Sequence, residues 1–224
     1  MNQRRFGIDA FTLKLIAVVA MTVDHVGHVF FPGVIWMRII GRLTMPIMAF
    51  FIAEGYHHTR DVKRYALRLL IAALTSAVPF TLAFGRVSLG VMWTLLLGLV
   101  ALWAIDNLPN RLMQTLVVLL CCLASLAGDW RLYGVGMVVA FGVFRGRFGA
   151  QALSLSALLL VQFVEVQLSG PVSLSFIWSA AGVLALPLLY FYNGKRGRDM
   201  RYGFYAYYPL HLAVIALVAA LISR

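Results

Sequence analysis

Apolar residues fill the chain in long stretches broken by short polar intervals. The stretches near 10–31, 36–56, 62–84, 88–106, 111–127, 131–145, 150–168, 172–192 and 204–222 approach the ~20 mostly apolar residues that a membrane-crossing helix needs. The sixth is short and glycine-rich. The pattern predicts an all-α, polytopic membrane bundle of about nine transmembrane helices. Little chain remains between the stretches, so one membrane domain over residues 1–224, with no appended soluble domain, is expected. No internal repeat interrupts it. The loop of real length is Asn193–Tyr202, which carries an Asn-Gly-Lys-Arg-Gly-Arg run.

Composition removes the main alternative. Hydrophobic residues make up 62% of the chain and charged residues 12%, with a mean hydropathy of +0.89. Soluble domains sit near ~45–50% apolar and ~25% charged. That excess of apolar surface excludes a water-soluble enzyme. The net charge of +11 would suggest nucleic acid in a soluble protein, but no nucleic-acid motif or basic tail is present. In a membrane protein it marks the cytoplasmic loops. With the N-terminus inside and nine spans, the inner side carries Arg4, Arg5, Lys14, Arg60, Lys63, Arg64, Arg68, Arg111, Arg145, Arg147, Lys195, Arg196, Arg198 and Arg201, fourteen of the 19 Lys and Arg. Arg38, Arg42, Arg86, Arg131 and Arg224 remain outside, as does the C-terminus. The first apolar run is too long for a signal peptide and no cleavage-type site follows it, so it reads as a retained helix. Cys121 and Cys122 are adjacent and diverge on a helix; they read as core residues.

Ionisable residues inside membrane spans are costly and usually functional. Asp24, His25, His28, Arg42, Glu54, Glu165 and His211 fall in this class. Lys14 and His25 lie eleven residues apart, three turns and ~20°, so they share one face of the first helix at ~16 Å along its axis. His28 is one turn beyond His25. Asp24 precedes His28 by four residues and is placed to pair with it. A short Pro-Gly turn joins the first two spans, which sets Arg42 near the depth of His25 and facing it. Arg38 reads as an anchor of the outer rim.

The second cluster is Glu54-Gly55-Tyr56-His57-His58-Thr59-Arg60-Asp61-Val62-Lys63-Arg64, then Arg68. Thr59 is placed to cap the third helix. Arg60, Lys63, Arg64 and Arg68 share a broad face at its start, where a helix N-terminus and several cations suit a polyphosphate. The same cations also serve as positive-inside signals. Neighbouring histidines diverge and no third ligand is suitably spaced, so His57 and His58 argue against metal. Asp129 and Glu165 sit near outer helix ends. Tyr205, Tyr207 and Tyr208 open the last span, where Pro209 bends the helix beside His211.

Several runs resemble the TraX family over essentially the whole chain. They are Leu13-Lys14-Leu15-Ile16-Ala17, Asp24-His25-Val26-Gly27, Arg38-Ile39-Ile40-Gly41-Arg42, Pro46, Ala49-Phe50-Phe51, Glu54-Gly55-Tyr56 and Arg60. Trp93-Thr94-Leu95-Leu96-Leu97-Gly98, Tyr133-Gly134 and Tyr208-Pro209-Leu210-His211 continue the likeness. The family is associated with conjugative pilus assembly, and its type member with N-acetylation of the F-type pilin. Membrane acyltransferases of the acyltransferase-3 family are more distantly similar. They carry a basic residue, ten residues, then a functional histidine, as Lys14 and His25 do here. Their Phe-Phe…Gly-Phe segment is echoed by Phe50-Phe51…Gly55-Tyr56, their spaced arginines by Arg64 and Arg68, and their terminal Tyr…His by Tyr208 and His211. The sequence departs from the TraX pattern at Ser76-Ala77-Val78-Pro79-Phe80-Thr81, where Ala77 and Thr81 replace two carboxylates.

The resemblance implies a multi-pass protein of the bacterial inner membrane that transfers acetyl from cytosolic acetyl-CoA to an acceptor amine or hydroxyl at the outer side. Lys14, Glu54, Tyr56, Arg60, Lys63, Arg64, Arg68 and His211 are then expected to hold the donor, with its pantetheine arm reaching up the bundle to His25. His25 would act as general base or as a transient acetyl carrier, and Arg42 would face the oxyanion. Asp24 and His28 would support them. Acetyl-CoA is the co-substrate and no metal is expected. Pilin is one candidate acceptor, membrane lipid surrounds the chain, and a homodimer is compatible with the reading. A transporter or flippase, or a pilus-assembly protein without chemistry, are the competing classes. Buried charges serve transport too, but many transporters carry repeats and this chain shows none.

Overall fold

The computed structural model describes residues 7–168 and 180–222. Their regular structure is helical, with one isolated bridge between Ile8 and Tyr192. Ten α-helices follow in order: α1 (Ala10–Phe30), α2 (Ile35–Gly41), α3 (Thr44–His58), α4 (Val62–Phe84), α5 (Gly90–Asn107), α6 (Arg111–Ala124), α7 (Arg131–Val143), α8 (Phe148–Leu168), α9 (Ala185–Tyr190) and α10 (Arg201–Ile222). Short 3₁₀ turns occupy Ser125–Ala127 and Ala181–Leu184. This is the expected all-α membrane bundle. Among the described residues, six segments are long and apolar enough to cross a membrane: Ala10–Phe30, Ile35–His58, Val62–Phe84, Gly90–Asn107, Phe148–Leu168 and Tyr202–Ile222. Shorter apolar helices lie at Arg111–Ala127, Arg131–Val143 and Ala181–Tyr190, where three further spans are expected. Much of the expected eighth span, from 172, lies outside the described residues.

The chain divides into two compact units. The first combines residues up to 48 with 144–201. In α1 the buried positions Ala10, Leu13, Ala17, Met21 and His25 recur every three to four residues, which is one helical stripe. Leu15 and Val19 on the other side are exposed, as a lipid-facing surface requires. Asp9 caps α1 by accepting from Thr12 N at 2.8 Å. The preceding residues are stitched to the loop after α9: Ile8 N donates to Phe191 O at 2.8 Å, and Asn193 N donates to Ile8 O at 3.0 Å.

The expected continuous second span, 36–56, is broken. Helix α2 stops at Gly41 and α3 starts at Thr44. Pro46 has no N–H to donate to the Arg42 carbonyl four residues earlier, and its ring crowds that carbonyl. The chain tightens instead, with Arg42 N contacting the Arg38 and Ile39 carbonyls at 3.3 and 3.2 Å and Leu43 N the Ile40 carbonyl at 3.1 Å. The Thr44 hydroxyl donates to Ala17 O at 3.0 Å, pinning the break to α1.

The second unit combines residues 49–143 with 202–222. Its centre is α5, buried nearly all round and packed by α4, α6 and α7. Small residues set the closest approaches: a Cβ on Gly98 would collide with Val138, and one on Gly142 with Leu102. Such contacts replace the hydrophobic drive that lipid removes. The 18 residues of α5 can therefore be almost wholly apolar while most of them face protein and not lipid.

Candidate functional site

In the first unit, the C-terminal half of α1 meets α2. Gly27 and Gly41 set the approach. A Cβ on Gly27 would run into Met37, and one on Gly41 would enter the space of the Asp24 side chain. The Asp24 carboxylate is thus seated on the last residue of α2. Two guanidinium groups converge on it. Arg38 Nη1 lies 2.9 Å from Asp24 Oδ1, and Arg42 Nη2 lies 3.7 Å from Oδ2. Arg38 Nη1 also donates to the Asp24 main-chain carbonyl at 3.3 Å. The three side chains are only 11–17% exposed. His25 follows Asp24 directly and is buried, whereas His28, one turn on, is exposed. Lys14 is half-buried three turns earlier on α1.

The ion cluster was legible in part. Asp24 and Arg42 come together, but through a direct ion pair. Arg38, read from sequence as a rim anchor, is instead a full member of the cluster. The signal available was its spacing: four residues before Arg42, on the same face of α2.

In the second unit, α3 ends and α4 begins with the other candidates. Glu54 is buried, and His58 Nδ1 lies 2.7 Å from its main-chain oxygen and 3.7 Å from its Oε2. A carbonyl only accepts, so Nδ1 carries the proton. His57 is likewise committed through Nε2 to Gly142 O at 3.3 Å. Tyr56 accepts from Asn107 Nδ2 at 3.2 Å. The expected cap role of Thr59 falls to Asp61, whose carboxylate accepts from Arg64 N at 2.9 Å. Thr59 Oγ1 in turn accepts from Asp61 N at 3.3 Å. A residue in extended backbone three before a helical N–H is what a cap needs, and Asp61 holds that position.

The cations beside this cap differ. Arg60 and Lys63 are exposed. Arg64 Nε pairs with Asp61 Oδ2 at 3.0 Å but leaves 82% of its side chain exposed. Arg68 is half-buried, its guanidinium over the Tyr65 ring at 5.5 Å from the centroid. Farther along, His211 is buried in α10. Its Nδ1 lies 2.9 Å from Tyr207 O and its ring stacks on Tyr207 with centroids 5.1 Å apart. Sequence reasoning did not find the work of Tyr208: its buried hydroxyl accepts from Val91 N at 3.2 Å, at the start of α5. Gly90, at a φ of +65°, leaves room for that hydroxyl. Arg86 forms an ion pair with Asp129 on the two connections that flank this point. Ala77 and Thr81, where the two carboxylates are missing, lie on α4; the Thr81 hydroxyl donates to Ala77 O at 2.9 Å.

Long apolar helices with a half-buried Asp–Arg–Arg cluster define a polytopic helical membrane protein that holds ionisable groups within its membrane-spanning segments. The chain belongs to the TraX family, whose model, described as TraX protein, matches residues 10–219. It is 32% identical over 235 aligned residues to the probable fimbrial assembly protein FimC, serogroup H1, of Dichelobacter nodosus, covering 95% of this chain and 96% of that one. A shorter match, 47% identical over 45 residues, covers 20% of this chain and 18% of an uncharacterized protein of Rickettsia prowazekii (strain Madrid E). No solved structure matches significantly.

Proposed function

We propose that this protein is an integral membrane acetyltransferase that uses acetyl-CoA and acts in the bacterial inner membrane, with its N-terminus in the cytoplasm. The observation that carries the reading is the buried His25 beside the Asp24–Arg38–Arg42 cluster, inside an apolar helical hairpin. Packing alone does not require four ionisable groups there, and each is costly at such a depth. Family membership supports the same reading.

The phosphates of acetyl-CoA are taken by the cations at the start of α4, namely Arg60, Lys63, Arg64 and Arg68. Glu54, Tyr56 and His211 complete the donor-binding set. His25 accepts the proton from the acceptor N–H or O–H as that atom attacks the thioester carbonyl. The tetrahedral oxyanion is met by Arg42. On collapse the C–S bond breaks, the thiolate leaves, and the imidazolium returns the proton to sulfur. A histidine suits both transfers because its ordinary pKa lies near neutrality. The Dichelobacter relative is a probable fimbrial assembly protein, which favours a pilin amino terminus as the acceptor.

The test is purified protein incubated with labelled acetyl-CoA and a pilin N-terminal peptide. Label should appear on the peptide, or be released as acetate without it. His25→Ala should bind acetyl-CoA and lose ~10²–10⁴ in rate. His28→Ala should lose less, because His28 is exposed. Full transfer by His25→Ala would remove the assigned base. No turnover by the wild type would return the protein to the transport or assembly readings.

A further inference from the structure

Two tyrosines flank the turn between α3 and α4, and the chain uses them differently. The Tyr56 hydroxyl donates to the Asp106 carboxylate and accepts from Asn107 Nδ2 at 3.2 Å, at the end of α5. Tyr65, in the first turn of α4, is buried with its ring against α3. Gly55 makes that approach possible: a Cβ there would stand 2.8 Å from the Tyr65 hydroxyl and 3.0 Å from its Cε1. The hydroxyl itself forms no hydrogen bond among the described residues. Arg68 follows three residues later on the same face, with its guanidinium 5.5 Å from the centroid of the Tyr65 ring. Its Nε–H is buried and also has no hydrogen-bond partner among the described residues. Arg68 as a whole is half-buried, which leaves the pair reachable from the protein surface. The neighbouring Glu54 carboxylate is turned to His58, at 3.7 Å. Buried donors are seldom left unmade, because each forfeits its water for nothing. Two such donors on one helix face, one of them cationic, match an anionic oxygen.

We propose that Tyr65 and Arg68 form one anion seat on α4, and that it takes the diphosphate of the donor. This rests on the acetyl-CoA reading and says which phosphates meet which residues. Arg60, Lys63 and Arg64 are exposed at the start of the helix and suit the 3′-phosphate on the ribose. Tyr65 and Arg68 stand on the less exposed side, which suits the diphosphate, the group joined directly to the uncharged pantetheine arm. A diphosphate has oxygens on two phosphorus atoms and is long enough to meet both donors. The guanidinium supplies charge and the hydroxyl supplies direction.

Tyr65→Phe isolates the hydroxyl, because the ring, its contact with Gly55 and its place beside Arg68 remain. A hydroxyl without a partner adds no hydrogen bond to the free protein, so the unfolding midpoint without ligand should stay or rise. The Kd for acetyl-CoA, by calorimetry in detergent, should increase about tenfold or more, as loss of a hydrogen bond to a charged oxygen does. Joined with Arg68→Ala, it should cost less than the product of the two single effects, because both donors serve one group. Effects that multiply independently would overturn the shared seat. A plain packing role for Tyr65 predicts wild-type affinity in Tyr65→Phe; that result overturns the proposal while the acetyl-CoA reading stands. Acetyl-dephospho-CoA, which lacks the 3′-phosphate, should give the same affinity ratio between wild type and Tyr65→Phe. A ratio that vanishes there overturns the assignment to the diphosphate. If the wild type binds no acetyl-CoA, the donor reading fails, and inorganic pyrophosphate becomes the probe. It should raise the unfolding midpoint of the wild type and do so less for Tyr65→Phe. No rise in the wild type, or an equal rise in both, overturns the seat itself.

Discussion

Arg64 and Arg68 look interchangeable in the sequence, two cations one turn apart on α4. In the folded chain they differ. Arg64 extends into solvent and is already engaged with the Asp61 cap, so removing it frees a carboxylate as well as deleting a cation. Arg68 is half-buried with its guanidinium held over Tyr65, so its position costs little further ordering on binding. Arg68→Ala should therefore weaken acetyl-CoA binding about tenfold, in line with loss of one charge-assisted contact, and Arg64→Ala by clearly less. Calorimetry in detergent at low and raised salt checks this; equal effects of the two variants would show that only bulk positive charge matters. The same residue-scale logic explains what the sequence revealed about the α1–α2 cluster. Asp24, His25 and Arg42 were visible because ionisable residues are rare in apolar runs. The pairing of Asp24 with Arg38 was not, because side-chain reach across a hairpin depends on how close the helices come. Gly27 and Gly41 set that closeness, and only the fold shows what each glycine faces.

Helix boundaries show the same division one scale up. The start of α4 has a local cause, an Asp61 carboxylate on the Arg64 N–H, and capping residues of this kind can be read from sequence. Thr59 competed for the role and lost it because it lies two residues farther from the first helical turn. The break between α2 and α3 also has a local cause in Pro46, yet hydropathy alone runs straight through it. The break turns Arg42 out of regular helix and gives the Thr44 hydroxyl to α1. Pro46→Ala would restore the missing donor to the Arg42 carbonyl. We expect the amides of residues 42–47 to exchange more slowly with solvent deuterium in this variant, and acetyl transfer to fall as Arg42 is drawn into continuous helix. Unchanged exchange would mean that contacts with α1, rather than the proline, maintain the break.

At the scale of the whole chain, the two compact units are discontinuous in sequence, each assembled from an earlier and a later segment. Hydropathy counts spans but does not reveal such interleaving, since packing in lipid is decided by small-residue contacts such as Gly98 on Val138. The charge distribution makes a separate, global prediction. If the chain crosses nine times with its N-terminus inside, fourteen of the 19 Lys and Arg fall on the inner side and the C-terminus lies outside. A reporter fused after Arg224 should be active in the outer compartment. Activity in the cytoplasm would mean an even number of spans, with the 13-residue α7 as the segment that fails to cross.

Class and local chemistry were determined by the sequence itself. A chain with 62% hydrophobic residues has to place its apolar surface in lipid, and within lipid its backbone has to satisfy its own hydrogen bonds as helix. The family motifs and the rare ionisable residues were equally one-dimensional signals. Tertiary structure decided which of those residues meet. Asp24 joins Arg38 and Arg42 because two glycines bring α1 and α2 together, and Tyr208 reaches Val91 because Gly90 has no side chain. Contacts of this kind depend on separations of a few ångströms between segments far apart along the chain, and periodicity along one helix carries no information about them.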